Sequence, residues 1–278
     1  MSAPPLSGLI LAGGLSSRMQ RDKAALKYRG KAQLERAFEL LKRHVNEVFV
    51  SVRANQIQDP TRAQRPMIVD CIPGEGPIVG IRSALATFPT VAWLVMACDL
   101  PFVSDATLAL LICERDPSGV GTAYTSAHDG LPEPLCCIWE PAAGPALAVY
   151  QAGGGQCPRK FLMRHPARLL KPALARALDN INTPEEYAAA TTVLDATAAV
   201  QIKIQYYALL REQAGRSEET LETSAGTPAD LYGELGARHG FTLPREQLKV
   251  AVNGEFSDWL RKLGPGDVVV FIPPVAGG

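Results

Sequence analysis

The sequence predicts an α/β domain with a mostly parallel sheet covered by helices, followed by a smaller α+β domain. Its 278 residues favour two domains over one. Up to about residue 113, short apolar runs alternate with amphipathic stretches, as in strands and helices that alternate along a parallel sheet. After residue 200 this alternation gives way to short strands around one main helix. Hydrophobic residues make up 47% of the chain, which is enough for two cores.

The elements of the first domain follow from periodicity. Residues 33–44 repeat apolar side chains on one face, which predicts an amphipathic helix. Ser104 is a typical N-cap for a further helix that runs through Cys113. The other predicted elements are strands at 6–11, 48–52, 67–69 and 93–98 and a helix at 77–88.

The domain boundary follows a clearly marked helix. Thr183 caps it, Pro184 suits its first turn, and Glu186 completes a capping box. The small, polar stretch that ends this helix lacks a periodic core signal, so we place the boundary near residue 196, with domains at 1–195 and 200–278. In the second domain Thr227 caps a helix that Gly240 ends. Strands are predicted at 200–207, 248–252 and 268–272.

Charge and cysteine content narrow the class of protein. The chain has 28 basic and 28 acidic side chains, so bulk charge predicts neither a nucleic-acid nor a membrane partner. No apolar run approaches the roughly 20 residues that cross a bilayer, and we see no secretory signal. The six cysteines include no Cys-x-x-Cys pair. This favours buried thiols in a reduced, cytoplasmic protein over a metal cluster.

A glycine-rich loop follows the first predicted strand. It reads Leu11-Ala12-Gly13-Gly14-Leu15-Ser16-Ser17-Arg18-Met19, and Asp22-Lys23 comes soon after. The loop is neither a Walker loop nor a Gly-x-Gly-x-x-Gly fingerprint. Glycines nonetheless let backbone N–H groups approach a phosphate chain, and Arg18 and Lys23 add positive charge. A tight turn with solvated basic residues is the alternative, but the combination favours phosphate binding.

This loop resembles the signature of molybdenum cofactor guanylyltransferases, Leu-Ala-Gly-Gly-x-Ser-x-Arg-Met followed by Asp-Lys. The resemblance implies a Rossmann-like, three-layer nucleotidyltransferase domain in which the loop holds the phosphates of GTP and Arg18 and Lys23 are catalytic. The family usually has glycine after Arg-Met, whereas this chain has Gln20. If that position needs a positive φ, Gln20 carries a strain cost. The residues so implicated in GTP binding are Leu11, Ala12, Gly13, Gly14 and Lys23.

An acidic residue, Asp99, directly follows the predicted strand at 93–98. It therefore lies at the carboxyl edge of the sheet, where ligands bind in open α/β folds. A carboxylate there suits Mg²⁺ that bridges to substrate phosphates, and capping of the next turn is the alternative. The segment Cys98-Asp99-Leu100-Pro101 resembles the family's Cys-Asp-x-Pro. This implies that Asp99 is a catalytic, GTP-binding and Mg²⁺-binding residue.

Three further segments resemble the family. Asp70 ends a strand before Gly76-Pro77-Ile78-Val79-Gly80, which resembles the family's Asp followed by Gly-Pro-Leu-x-Gly at the nucleotide site. Ser51 falls where the family often has a polar residue that contacts the nucleotide. The Asn-x-Asn-Thr-Pro-Glu motif at 180–185 implicates Asn180 and Asn182 on the pterin side. An Asx turn with a helix cap explains much of the same pattern.

The last residues read Ile272-Pro273-Pro274-Val275-Ala276-Gly277-Gly278, a tail thin enough to enter a partner's active site. A disordered glycine tail is the alternative. With the segments at 207–212 and 251–255, this ending resembles the small subunit of molybdopterin synthase over residues 200–278. The resemblance implies a β-grasp, ubiquitin-like sulfur carrier. It also implies that Gly278 is adenylated by a ubiquitin-activating-like adenylyltransferase, thiocarboxylated, and used inside the large synthase subunit.

The two resemblances imply two activities in one pathway. The first domain is expected to transfer GMP from GTP to molybdopterin or the molybdenum cofactor and to release pyrophosphate, chiefly by positioning and charge neutralisation. The carrier is expected to supply the dithiolene sulfur. Three alternatives stay open: cytidylyltransferase specificity, an inactive first domain (given Gln20) that leaves only the sulfur carrier, and a carrier that serves thiamine. The Ile-Pro-Pro-Val-Ala-Gly-Gly ending argues against the third.

Overall fold

The computed structural model describes residues 3–14, 19, 21–172, 176–196 and 200–274. The chain forms two compact units, Met1–Thr192 and Val193–Gly278. The division falls within a helix, Pro184–Ala196, and the domain limits predicted from the sequence stay a prediction. Among the described residues, no helix has the length and apolar character needed to span a membrane.

The first unit is built around a central sheet. In chain order its strands are Leu6–Leu11 (β1), Lys27–Tyr28 (β2), Lys31–Ala32 (β3), Val48–Val52 (β4), Met67–Val69 (β5), Ala92–Ala97 (β6), Gly121–Thr125 (β7), Pro132–Trp139 (β8) and Ala167–Leu170 (β9). Seven of them form one sheet in the order β5-β4-β1-β6-β8-β7-β9, and β2 pairs with β3 separately. Only β8 runs antiparallel to its neighbours in the described sheet. The predicted mostly parallel sheet is confirmed.

Helices cover both faces of this sheet. In chain order they are Gln33–Lys42 (α1), Pro77–Thr87 (α2), Asp105–Cys113 (α3), Ala143–Ala152 (α4), Pro158–Leu162 (α5) and Pro184–Ala196 (α6). On one face Leu34 of α1 and Leu108 of α3 belong to the core cluster that contains Ile10. On the other face Ile78 of α2 belongs to the cluster that contains Leu9. Successive side chains of a strand point to opposite faces, so the predicted three-layer fold is confirmed.

The second unit has a five-stranded mixed sheet. Its strands are Val200–Tyr206 (β10), Glu218–Thr223 (β11), Lys249–Val252 (β12), Glu255–Ser257 (β13) and Val268–Ile272 (β14), and its helices are Ala208–Ala214 (α7) and Pro228–His239 (α8). The order is β11-β10-β14-β12-β13, with β10 and β14 parallel. As predicted, Thr227 caps α8 and Gly240 ends it, with a φ of 71°. Leu231 and Leu235 of α8 are fully buried in the core. This is the predicted β-grasp arrangement.

Candidate functional site

A cavity of about 390 Å³ lies at the carboxyl edge of the first sheet. Three strand ends meet there, because Ala12 N donates to Ser51 O at 3.3 Å and Cys98 N donates to Leu11 O at 3.2 Å. This edge is where open α/β sheets bind ligands. The predicted site residues that line the cavity are Leu11, Ala12, Gly13, Gly14, Lys23, Ser51, Asp70, Asp99 and Asn182.

Some predicted site residues are not placed at this cavity. Arg18 and Gly278 lie outside the described residues, as does Gln20. Asn180 is exposed and is not among the described lining residues. The next residue, the buried Ile181, donates its N–H to Asp99 O at 3.0 Å. The Asn-x-Asn segment is therefore fastened to the end of β6, and its second asparagine lines the cavity.

Lys23 connects three segments of the chain. Its ammonium group donates to Asp99 Oδ2 at 2.9 Å and to Asn182 Oδ1 at 2.7 Å. The side chains of Lys23 and Asp99 are 18% and 20% exposed, so solvent and salt screen this ion pair less than a surface pair. The contact holds a positive charge at the wall of the cavity, where an anionic ligand can meet it.

The other carboxylate oxygen of Asp99, Oδ1, suits a cation. It is buried and has no hydrogen-bond partner among the described residues. A buried carboxylate oxygen without a donor is unfavourable, and an ion or water is the usual explanation. Mg²⁺ is commonly held by one or two carboxylates together with substrate phosphates and water. Because the described chain offers no cluster of three or more metal-ligating side chains, Asp99 fits a Mg²⁺ ion shared with a ligand better than a site made by protein alone.

Asp70 is held in place by Ser51, which is only 2% exposed. The Ser51 hydroxyl donates to Asp70 Oδ1 at 2.9 Å. Burial raises the pKa of Asp70, and the Ser51 hydrogen bond and the charge of Arg53 oppose that rise. Gly80 of α2 packs against the same serine, since a Cβ at this position would lie 2.3 Å from Ser51 Oγ. The close approach of α2 to the end of β4 therefore requires glycine.

The N-terminus of α2 also borders the cavity. Gly76 precedes the helix with a φ of 78°, and Pro77 occupies the first turn. Both residues line the cavity. Pro77 has no N–H and Val79 N donates to Gly76 O at 3.3 Å, but the start of the helix still carries the positive end of its dipole. This 11-residue helix thus adds a partial positive charge beside Lys23.

Sequence reasoning missed Arg62, whose side chain is 2% exposed. Its Nε and Nη2 donate to Ala12 O at 3.1 and 2.8 Å, and its Nη1 and Nη2 donate to the Asp22 carboxylate at 2.6 and 2.8 Å. Burial alone would raise the pKa of Asp22, but the hydrogen bonds and charge of Arg62 lower it. Arg62 lies in a polar segment that resembles an exposed loop, so no signal in the sequence identifies it.

Unlike Arg62, the unpredicted residues Arg53 and Cys98 are among those that line the cavity. Arg53 places a second full positive charge at the cavity. Burial raises the pKa of Cys98 to about 12, and the charge of Asp99 adds to that rise. A thiol with such a pKa is protonated near neutral pH.

The second unit exposes part of one sheet face. Phe256 of β13, which is 74% exposed, pairs with Ala251 of β12, and Ala251 pairs with Val270 of β14. Because Phe271 is fully buried in the core, the preceding Val270 faces the opposite side of the sheet. This partly apolar face lies beside the strand that leads to the tail, and residues 275–278 lie outside the described residues.

Comparison with known proteins agrees with both units. Residues 8–186 match the family of MobA-like NTP transferase domains, and residues 204–278 match the ThiS family. A molybdenum cofactor guanylyltransferase of Pseudomonas fluorescens is 30% identical over 69% of this chain and 96% of its own length. A molybdenum cofactor biosynthesis bifunctional protein of Synechocystis sp. is 37% identical over 67% of this chain, but the match spans only 54% of that protein.

The solved structures show the same fold for the first unit. Molybdopterin-guanine dinucleotide biosynthesis protein A from Archaeoglobus fulgidus aligns with a TM-score of 0.57 and 22% identity. The alignment covers 68% of this chain and 98% of that protein. At this identity the likeness concerns the fold alone.

Proposed function

We propose that this chain serves two steps of molybdenum cofactor biosynthesis, because it belongs to the MobA-like NTP transferase family as a molybdenum cofactor guanylyltransferase. It also has a C-terminal ThiS-family domain. The first unit, a nucleotidyltransferase domain, transfers GMP from GTP to molybdopterin or the molybdenum cofactor and releases pyrophosphate. The second unit carries sulfur as a thiocarboxylate on Gly278. We place the limits of the two domains at 1–195 and 200–278.

The contact of Lys23 with Asp99 and Asn182 beside the glycine-rich loop is the observation that carries the transferase proposal. Nucleotidyl transfer needs the phosphates held in place and their charge neutralised. Lys23 supplies a fixed ammonium group, and Gly13 and Gly14 bring backbone N–H groups close to the phosphates. Asp99 would hold Mg²⁺, which when bound neutralises negative charge on the triphosphate.

The remaining site residues divide between the two substrates. We assign Leu11, Ala12, Ser51 and Asp70 to GTP, because they line the cavity on the side of β1, β4 and β5. We assign Arg18 to catalysis. We propose Asn180 and Asn182 for the pterin side. Both belong to the segment that leads into α6, and Asn182 lines the cavity.

The carrier proposal rests on the ThiS-family match and on the exposed sheet face of the second unit. A ubiquitin-activating-like adenylyltransferase adenylates Gly278, and the large subunit of molybdopterin synthase receives the thiocarboxylated tail. A large aromatic side chain as exposed as Phe256, which is 74% exposed, is typical of a protein-binding surface. All six cysteines are unpaired, as in proteins of reducing compartments, which supports a cytoplasmic location.

The transferase proposal is tested by nucleotide-dependent stabilisation of the full chain. A ligand that binds only the folded state adds about 2.7 kcal/mol at a hundredfold excess over its dissociation constant. We expect Mg²⁺ with GTP to raise the melting temperature of the wild type, but not of Asp99→Ala. Asp105→Ala is the matched control, because that half-exposed carboxylate pairs with Arg43 and is not among the cavity residues. Stabilisation of Asp99→Ala as strong as that of the wild type would contradict the metal assignment.

The same measurement separates the alternative functions. Stabilisation by CTP rather than GTP would change the substrate and leave the fold and metal site as proposed. Stabilisation by neither nucleotide would leave sulfur transfer as the function and would point to Gln20 as the cause. Gln20→Gly would then be the variant to measure, since it restores the residue usual in the family.

The carrier proposal is tested by deleting Gly278 from the full chain. We expect this chain to bind Mg²⁺ and GTP like the wild type and to form no thiocarboxylate when incubated with the adenylyltransferase, ATP and a sulfur donor. Mass spectrometry of the intact protein detects the replacement of one oxygen by sulfur. A thiocarboxylate on the shortened chain would contradict the role of Gly278.

A further inference from the structure

We propose that Arg62 is a positioning residue that closes the glycine-rich loop and directs the Gly13 N–H and the Lys23 side chain into the cavity. The inference rests on the proposed nucleotide binding by the first unit. It concerns a side chain that itself is not among the cavity-lining residues of the described chain.

Arg62 holds both ends of the loop at once. Its guanidinium group donates twice to the carbonyl of Ala12, the first residue after β1, and twice to the carboxylate of Asp22, the residue before Lys23. The planar fork of arginine suits such paired contacts with fixed geometry. A single side chain therefore sets the separation between the two ends of the segment 12–22.

The contact at Ala12 also sets the direction of the next amide. In a trans peptide the C=O and the following N–H point in opposite directions. The Ala12 carbonyl is turned toward the buried guanidinium, so the Gly13 N–H is turned away from it, and Gly13 is one of the residues that line the cavity. No hydrogen bond joins the Gly13 N–H to another described residue. This N–H is thus oriented as a donor for the nucleotide.

The contact at Asp22 sets the origin of the Lys23 side chain. One Asp22 oxygen accepts from Arg62 and also from Ala24 N at 3.1 Å, which begins the short turn Lys23–Ala25. Since the turn is held by Asp22, the ammonium group of Lys23 starts from a fixed backbone position. Loss of Arg62 would remove the contact that holds the Asp22 side chain from the side of Ala12, while the Ala24 N–H and the contacts of Lys23 with Asp99 and Asn182 remain.

Arg62 is itself held from the other side. Its Nη1 lies 3.0 Å from Asp59 Oδ1, and its backbone N donates to Asp59 O at 2.9 Å. The turn that contains Arg62 therefore fixes the guanidinium from the side remote from the loop. A side chain fixed in this way can orient a loop rather than follow it.

The experiment compares Arg62→Lys and Arg62→Ala with the wild type as full chains. Calorimetry measures the dissociation constant for Mg²⁺ with GTP, and thermal unfolding without nucleotide measures stability. A lysine ammonium can pair with Asp22 or Asp59, but it lacks the planar fork with which arginine donates twice to the Ala12 carbonyl and twice to the Asp22 carboxylate at once. We therefore expect Arg62→Lys to recover most of the melting temperature that Arg62→Ala loses. We expect Arg62→Lys to bind Mg²⁺ with GTP about tenfold more weakly than the wild type. A tenfold loss corresponds to one hydrogen bond to a charged group, here that of the Gly13 N–H with the nucleotide.

The matched control is Arg65→Lys. Arg65 lies on the same segment and donates to Thr61 O at 2.8 Å, and among the described residues it makes no hydrogen bond to the loop. We expect it to bind Mg²⁺ and GTP like the wild type. Wild-type affinity in Arg62→Lys would overturn the inference. A loss of affinity that runs parallel to the loss of melting temperature in both Arg62 variants would overturn it too, because it would indicate a role in stability alone. Failure of the wild type to bind any nucleotide would instead refute the proposed function, and the inference with it.

Discussion

Gly80→Ala tests whether the close packing of α2 under Ser51 supports the nucleotide site. The added Cβ would lie 2.3 Å from Ser51 Oγ, 3.2 Å from Ser51 Cβ and 3.0 Å from Leu11 Cδ2. Carbon and oxygen atoms do not approach to 2.3 Å without a bond. Either α2 must move outward or the serine hydroxyl must rotate away from Asp70, and both changes disturb a residue that lines the cavity.

The expected loss of stability combines two opposing effects. Overpacking of a well-packed core costs about 1–3 kcal/mol. Replacement of a mid-helix glycine by alanine otherwise gains about 0.5–1 kcal/mol. We therefore expect Gly80→Ala to lower the free energy of unfolding by about 1–2 kcal/mol, which lowers the melting temperature of a domain of this size by about 2–8 °C.

Thermal unfolding of the full chain and calorimetry with Mg²⁺ and GTP measure the two consequences. Gly144→Ala is the matched control, since its Cβ would meet only Leu85 Cβ at 3.6 Å, an ordinary contact. The decisive variant is Ser51→Ala in the Gly80→Ala background, which removes the atom at 2.3 Å. We expect Ser51→Ala to cost less stability there than in the wild type, a coupling of about 0.5–3 kcal/mol for residues in contact. Additive effects of the two substitutions would refute the packing argument.

Two further predictions concern the second unit. Glu219 accepts hydrogen bonds from Tyr206 at 2.5 Å and from His239 at 2.7 Å. Burial alone would raise the pKa of Glu219. These hydrogen bonds, with the charges of His239 and Arg216, outweigh burial and lower that pKa. Its contribution to stability is therefore present above pH 4.5, the ordinary value, and is lost as the pH falls through the lowered pKa. Chemical unfolding at several pH values should show Glu219→Gln destabilising at pH 7 and the difference shrinking below pH 4.5; a difference independent of pH would contradict this. On α8 an added Cβ at Gly233 meets nothing within 4 Å, so Gly233→Ala should raise the free energy of unfolding by about 0.5–1 kcal/mol. Gly240 has a φ of 71°, so Gly240→Ala should lower the free energy of unfolding. Stabilisation by both substitutions would contradict the reasoning.

The sequence predicted those elements whose pattern and end signals agree. The strands Leu6–Leu11, Val48–Val52 and Met67–Val69 have the predicted limits. Ser104 accepts from Thr107 N at 3.3 Å, as an N-cap does. The carboxyl edge of the sheet was predictable for the same reason, because loop residues that follow parallel strands must meet at one edge. Lining of one cavity by most of the predicted residues follows from that topology.

The strand β8 was not predicted because its sequence violates the usual preferences for a central strand. It contains Pro132 and Pro134, and proline cannot donate to a sheet ladder. The structure accommodates this sequence at an irregularity. The register with β7 shifts between Ala123 and Tyr124, so the pairing moves from Cys137 to Glu133 and skips the residues between them. A β-bulge of this kind depends on the partner strand and cannot be seen in β8 alone.

Long-range contacts of the site were also beyond reach of the sequence. Lys23 and Asn182 are 159 residues apart in the chain, and their hydrogen bond depends on the Ile181 N–H that ties α6 to the end of β6. Arg62 and Ala12 are 50 residues apart, and the sequence around Arg62 contains no motif that indicates this contact. Motifs identify which residues belong to a site, whereas the contacts that orient them depend on the completed fold.

The Asn-x-Asn-Thr-Pro-Glu segment shows why a structural and a functional interpretation of one motif need not compete. The Glu186 carboxylate accepts from Asn182 N at 2.6 Å and from Thr183 N at 3.1 Å, and Thr183 Oγ1 accepts from Glu186 N at 3.2 Å. This capping box uses the backbone of Asn182 and leaves its side chain to accept from Lys23. The start of α6 therefore fixes the position of an amide group at the cavity. The same residues cap α6 and place the Asn182 amide at the cavity, so the capping pattern alone could not reveal their role in the site. The contact of Asn182 with Lys23 is what distinguishes this helix start from one that has only a structural role.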